Sequence, residues 1–99
     1  MRKPNAAKRL EKRLPMEVAV QIAGNTQVPG VETTFTENVS SRGARVMTVR
    51  RWQPEDRLTL TSLPGDFRAL ARVAYCQPLR GDGFAIGLEF LEPAGRWVV

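Results

Sequence analysis

Two short polar clusters hold the residues of this 99-residue chain best suited to gripping a ligand. The first, "RLEKR", sets Arg9 and Arg13 four residues apart. On a helix they share a face; in an extended arm they are two flexible hooks. The second, "NVSSRG", gathers Asn38, Ser40, Arg42 and Gly43 after an alternating, Thr-rich stretch. A guanidinium pairs with anions or stacks on flat rings, and amide, hydroxyl and exposed backbone can hold a polar ligand. Each cluster has an ordinary explanation when taken alone. "RLEKR" could be a solvated helix face, and "NVSSRG" an Asx- or Ser-type turn ending a strand.

Catalysis has no comparable set of residues. There is no histidine, the commonest general base and metal ligand. One cysteine without histidine leaves no recognisable zinc set, and it excludes an internal disulfide. Cys76 falls in an apolar strand, where it reads as a small buried hydrophobe and fits a reducing compartment. The ten acids are scattered with no pair spaced for acid and base work. Neither a Walker-type loop nor G-x-G-x-x-G occurs. The expectation is therefore binding, with no catalytic residue, no metal and no cofactor.

Charge narrows the partner. The net charge of +5 and a pI near 10.4 favour something anionic: a nucleotide, nucleic acid or a membrane surface. Arg2, Lys3, Lys8, Arg9, Lys12 and Arg13 crowd the first thirteen residues, opposed there only by Glu11. No apolar run is long enough to span a bilayer, and the N-terminus lacks an apolar signal core. A cytoplasmic protein without membrane insertion is expected.

These clusters need a scaffold to position them. Ninety-nine residues support one modest core, not two. We divide the chain into a basic arm, residues 1–13, and one barrel domain, residues 14–99. Residues 5–13 favour helix with Asn5 as N-cap, and Pro15 ends it at about Arg13. Period-two alternation then starts, with Met16, Val18, Val20 and Ile22 as a half-buried strand. "VETTFTE" predicts a second strand with Val31, Thr33 and Phe35 on one face, followed by "NVSSRG" as a turn. "ARVMTV" and "RLTLTSL" follow, the latter with Leu58 and Leu60 inward, then Phe67 to about Gln77. "PLRGDG" is a hairpin connection into "FAIGLEFL", with Phe84, Ile86, Leu88 and Phe90 on one face. Six short strands and compact turns predict an all-β fold, a small antiparallel barrel or sandwich. Only eight residues follow Leu91, beginning Glu-Pro, so little or no C-terminal helix is expected. Trp97 is read as a cap on the open barrel end.

R-x-x-x-R before the first strand, followed after it by [DN]-x-S-x-x-G, resembles the PilZ domain, a bacterial receptor module for cyclic di-GMP. The resemblance runs from about Lys8 to Leu91 and includes "SSRGARV" and "GFAIGLEFL". It implies a six-stranded antiparallel barrel, with ligand contacts from Arg9, Arg13, Asn38, Ser40 and Gly43. Lys8, Lys12 and Arg42 are secondary candidates. In that setting a guanidinium can fork onto guanine O6 and N7, and Asn38 can accept from the guanine N1–H and N2–H. Ser40 can donate to phosphate or base, and Gly43 permits positive φ and close backbone approach. Trp52, Tyr75 and Arg80 could stack on a second guanine, but packing is the reading for the two aromatics and a solvated loop for Arg80. The implied function is a receptor whose ligand clamps the arm onto the barrel and changes the surface offered to a downstream effector protein. The alternatives are a nucleotide-independent adaptor and, lower, a small nucleic-acid-binding barrel. For the last, the seven aromatics supply no evident stacking platform, and nucleic acid is not expected as a partner.

Overall fold

The computed structural model describes residues 12–25 and 29–99. Six strands follow one another: β1 (Ala19–Ala23), β2 (Val31–Ser40), β3 (Gly43–Thr48), β4 (Arg57–Ser62), β5 (Phe67–Pro78) and β6 (Phe84–Gly95). All pair antiparallel and close into a barrel in the order β1-β2-β3-β6-β5-β4. Closure gives every strand two neighbours over part of its length, although β6 beyond Glu89 pairs with β5 alone. The all-β, six-stranded antiparallel barrel matches the sequence expectation, and no helix occurs among the described residues. The proposed helix over residues 5–13 lies almost wholly outside them; Lys12 and Arg13, which are described, are not helical.

Alternation explains most of the core. Val20 and Ile22 of β1, Ala44 and Val46 of β3, and Leu58 and Leu60 of β4 point inward. Phe67, Ala69, Ala71 and Val73 of β5 meet Ile86 and Leu88 of β6. Trp52 is also buried, as expected. Cys76 is half-buried against this core and accepts a hydrogen bond from Trp52 N at 3.4 Å.

Two expectations require correction, and a third gains a direction. First, β1 begins at Ala19 rather than at Met16. The preceding residues are held by a side chain instead of a ladder. Thr36 Oγ1 accepts from Val18 N at 2.8 Å and donates to Met16 O at 2.7 Å. Met16 is consequently exposed, while Val18 packs on the core.

Second, Val31, Thr33 and Phe35 share a face of β2 as expected, and it is the outer one. Val31 and Phe35 are 58% and 53% exposed, and Thr36 is inside. The inner polar residues have partners: Thr34 Oγ1 donates to Met47 O, and Glu32 accepts from Thr48 Oγ1 and Val49 N. A bulge between Thr36 and Asn38 then shifts the phase by one residue and turns Val39 inward.

Third, "NVSSRG" is mostly strand. Asn38, Val39 and Ser40 end β2, Gly43 opens β3, and only Ser41 and Arg42 turn between them.

β6 runs further than expected, to Gly95, with Ala69 opposite Pro93 and Phe67 opposite Gly95. Pro93 is tolerated because β3 has ended: its last partner on β6 is Glu89. The chain then folds Trp97 onto the end of the barrel where β2 stops and β5 starts. Its ring lies 4.7 Å from Phe67 and 5.2 Å from Phe90, and Nε1 donates to Ser40 O at 2.9 Å. Trp97 is thus the cap inferred from the sequence.

Replacing Thr36 by the near-isosteric Val removes an acceptor and a donor at a 1% exposed position. Val18 N–H and Met16 C=O both lose their partner. Thr36→Val is expected to cost about 1–3 kcal/mol, read as a lower urea midpoint at unchanged slope.

Candidate functional site

Residues 12–16 cross the outside of the barrel end and are fixed by one isolated bridge. Leu14 N donates to Val39 O at 2.7 Å, and Val39 N donates to Leu14 O at 2.9 Å. Leu14 packs inward on the core beside buried Val39. Alternation then turns Arg13 to the outside, the side on which Asn38 lies. Arg13 Nη1 donates to Asn38 Oδ1 at 2.9 Å, joining residues 25 apart in sequence. Arg13 of the first cluster and Asn38 of the second therefore meet at this point. Arg9 and Lys8 fall outside the described residues, and Lys12 is exposed.

The hairpin places the remaining candidates. Ser40 is fully buried; its Oγ accepts from Arg42 N at 3.3 Å and donates to Gly43 O at 3.4 Å. Its hydroxyl thereby braces the turn from behind. Arg42 O accepts from Phe90 N at 2.8 Å, pinning the turn to β6. Gly43 is not among the residues with positive φ, so the conformational reason offered for it is replaced by a steric one. A Cβ built there would sit 2.0 Å from Leu88 O, a backbone atom that cannot swing away. Only glycine lets β3 and β6 approach this closely.

Arg13 and Arg42 border a cavity of about 220 Å³ on the outer wall, together with Arg72, Tyr75, Gly87 and Glu89. The arginines around it differ in availability. Arg72 donates from Nε and Nη2 to Glu89 Oε1 at 2.9 and 2.7 Å, and from Nη1 to Glu55 at 2.7 Å. Glu89 and then Glu55 hold its guanidinium above the ordinary range, against a desolvation cost. Arg45, next along β3, donates to Glu37, to Tyr75 Oη at 3.0 Å and to Gln77 Oε1 at 3.0 Å. It too is raised, first by the Tyr75 bond and then, against desolvation, by Glu37. Both stay charged at any physiological pH. Among the described residues, ion pairs engage Arg45 and Arg72 but not Arg13 or Arg42. The unpaired cations at the rim are the two that the sequence marked, and this arrangement suits an anion with a polar flat group.

Sequence reasoning missed Arg45 and misplaced Tyr75. Tyr75 is 37% exposed on the outer wall rather than packed in the core or a loop. Alternation in "GARVMT" already turned Arg45 outward; nothing in the sequence marked its cross-strand neighbours. Arg80 is exposed in the connection between β5 and β6, as expected.

Comparison with known proteins agrees with this architecture. A family model described as PilZ domain matches residues 7–96. Among solved structures, the Bacillus subtilis inhibitor of motility (MotI/DgrA) superposes with a TM-score of 0.71 at 22% identity. The match covers 87% of this chain and 44% of that one, so the present sequence spans less than half of that protein, and the likeness concerns the fold. No curated protein matches the sequence significantly. Among the described residues no helix is long and apolar enough to cross a membrane.

Gly43→Ala is expected to destabilise the domain by about 1–3 kcal/mol through overpacking of the seam between β3 and β6. Ser41→Ala, at an exposed turn position, is expected to change stability by less than about 0.5 kcal/mol. Thermal melts of the two variants side by side test this contrast.

Proposed function

Because the chain belongs to the PilZ domain family, whose members are receptor and adaptor modules, we propose that it is a bacterial receptor for cyclic di-GMP that acts on a protein partner. The observation that carries this reading is the hydrogen bond from Arg13 to Asn38, which joins the second arginine of R-x-x-x-R to the first residue of [DN]-x-S-x-x-G. Cyclic di-GMP is a doubly negative ring with two guanines. Arg13 and Arg42 can meet its phosphates or fork onto guanine O6 and N7. Asn38 accepts from a guanine edge once Arg13 turns from it to the ligand. Ser40 and Gly43 set the hairpin that aims these groups, and Arg9 adds a second hook from the arm. Ligand binding would then clamp residues 1–13 against the barrel, altering the surface that an effector meets. The apolar side chains exposed elsewhere on β2, Val31 and Phe35, support a protein partner.

Asn38 in place of the aspartate that the motif also allows has a chemical consequence. It brings no further negative charge to an anionic ligand, but it offers one acceptor oxygen instead of two.

Calorimetric titration of the full chain with cyclic di-GMP tests the reading. Saturable binding in the micromolar range is expected, weakened about tenfold or more by Arg13→Ala and less than about threefold by Lys12→Ala. Absence of heat at tens of micromolar ligand would sink the proposal. Equal losses for the two variants would mean diffuse attraction rather than a site.

A further inference from the structure

Asn38, Arg45, Gly87 and Tyr75 stand in one row across four strands. Asn38 is the register partner of Arg45, Arg45 of Gly87, and Gly87 of Tyr75. Neighbouring strands lie about 4.8 Å apart, so the row spans roughly 14 Å from β2 to β5. One end is the Asn38–Arg13 pair. At the other end a phenol ring borders the same cavity.

That ring is held in place at two points. A Cβ on residue 87 would lie 2.1 Å from Tyr75 Cε2 and 2.6 Å from Cζ, so the ring rests against a gap that only glycine leaves. Its tip accepts from Arg45 Nη1 at 3.0 Å, with the guanidinium carbon 5.7 Å from the ring centroid. Arg45 is itself fixed by Glu37 and Gln77. A tyrosine on a barrel exterior normally has free rotamers to lose when it binds something. Here much of that loss has already been taken on folding.

We propose that Tyr75 is a base-stacking platform, and that it receives the second guanine of the cyclic dinucleotide whose first guanine is read at Asn38. This rests on the functional reading above. The spacing of the two ends suits a ligand with two flat bases joined by a charged ring, and Arg13 and Arg42 border the cavity between them. Stacking requires a flat face and no particular edge, so the phenol adds affinity while Asn38 adds base identity. Gly87 and Arg45 are positioning residues for the ring.

The test compares cyclic di-GMP binding to the wild-type chain, Tyr75→Ala, Tyr75→Phe, Gly87→Ala and Arg13→Ala. Tyr75→Ala should weaken binding roughly tenfold, within the range that loss of one stacked base produces. Tyr75→Phe should stay within about threefold of wild type, because the ring and its glycine seat remain. Gly87→Ala, which pushes a methyl group into the ring's seat, should resemble Tyr75→Ala. In the bound ligand a guanine C8–H resonance should be shifted upfield by the ring in wild type and Tyr75→Phe, and this shift should vanish in Tyr75→Ala. If Arg13→Ala weakens binding while Tyr75→Ala binds like wild type with the upfield shift intact, the platform is refuted and the receptor reading stands. If the wild-type chain does not bind at all, both fall together.

Discussion

Two hydrogen bonds between Leu14 and Val39 govern the geometry of the whole outer face. They form an isolated bridge, not a ladder, and they act on a segment that proline prevents from continuing as regular strand. Because successive residues alternate sides, seating Leu14 on the core obliges Arg13 to face outward. Because Val39 is buried opposite, Asn38 faces outward with it. The contact between Arg13 and Asn38 is thus a consequence of core packing. The Arg13–Asn38 bond is itself exposed and adds little of its own, so its position is owed to the packing beneath it.

Charge is sorted by the same wall. Four arginines lie on or beside the cavity, yet two of them are committed to carboxylates within the barrel: Arg45 to Glu37, and Arg72 to Glu89 and Glu55. Those pairs are partly exposed, and their structural value is to fix side-chain positions rather than to add much stability. What they leave is a surface on which Arg13 and Arg42 carry the local positive field. The net charge of +5 is concentrated in the first thirteen residues, where six cations face only Glu11, and the remaining residues are formally neutral. Specific capture needs a few cations that are both positioned and unspent.

Much of this was legible in the sequence, and the exceptions have physical causes. Strands β3 and β4 follow their alternation, and Leu58 and Leu60 point where the pattern says. β2 defeats the pattern because a bulge at Glu37 changes phase within the strand. Counting back in twos from buried Val39 puts Phe35 inside, whereas the extra residue puts Thr36 there. Threonine is acceptable inside because it bonds to Met16 and Val18, a pairing that only the folded chain reveals. The polar cluster at residues 38–43 was visible by composition and spacing. That most of it is strand, and that Gly43 answers to a carbonyl on β6, are tertiary facts. Tyr75 was visible only as an aromatic in a strand. Its outward face depends on a second bulge, between Val73 and Tyr75, which no local pattern announces.

Val39 and Ser40 are gripped from both ends of the chain. Leu14 holds the first through backbone bonds, and the Trp97 indole holds the second from 57 residues away. Tension applied between these terminal segments would therefore reach this dipeptide at the end of β2. The Leu14 bridge has two backbone bonds, flanked by the Arg13–Asn38 bond and the Thr36 bonds to Met16 and Val18, against the longer ladders of the strand pairs. Load applied at both termini would thus bear on the corner of β2 where Arg13 meets Asn38.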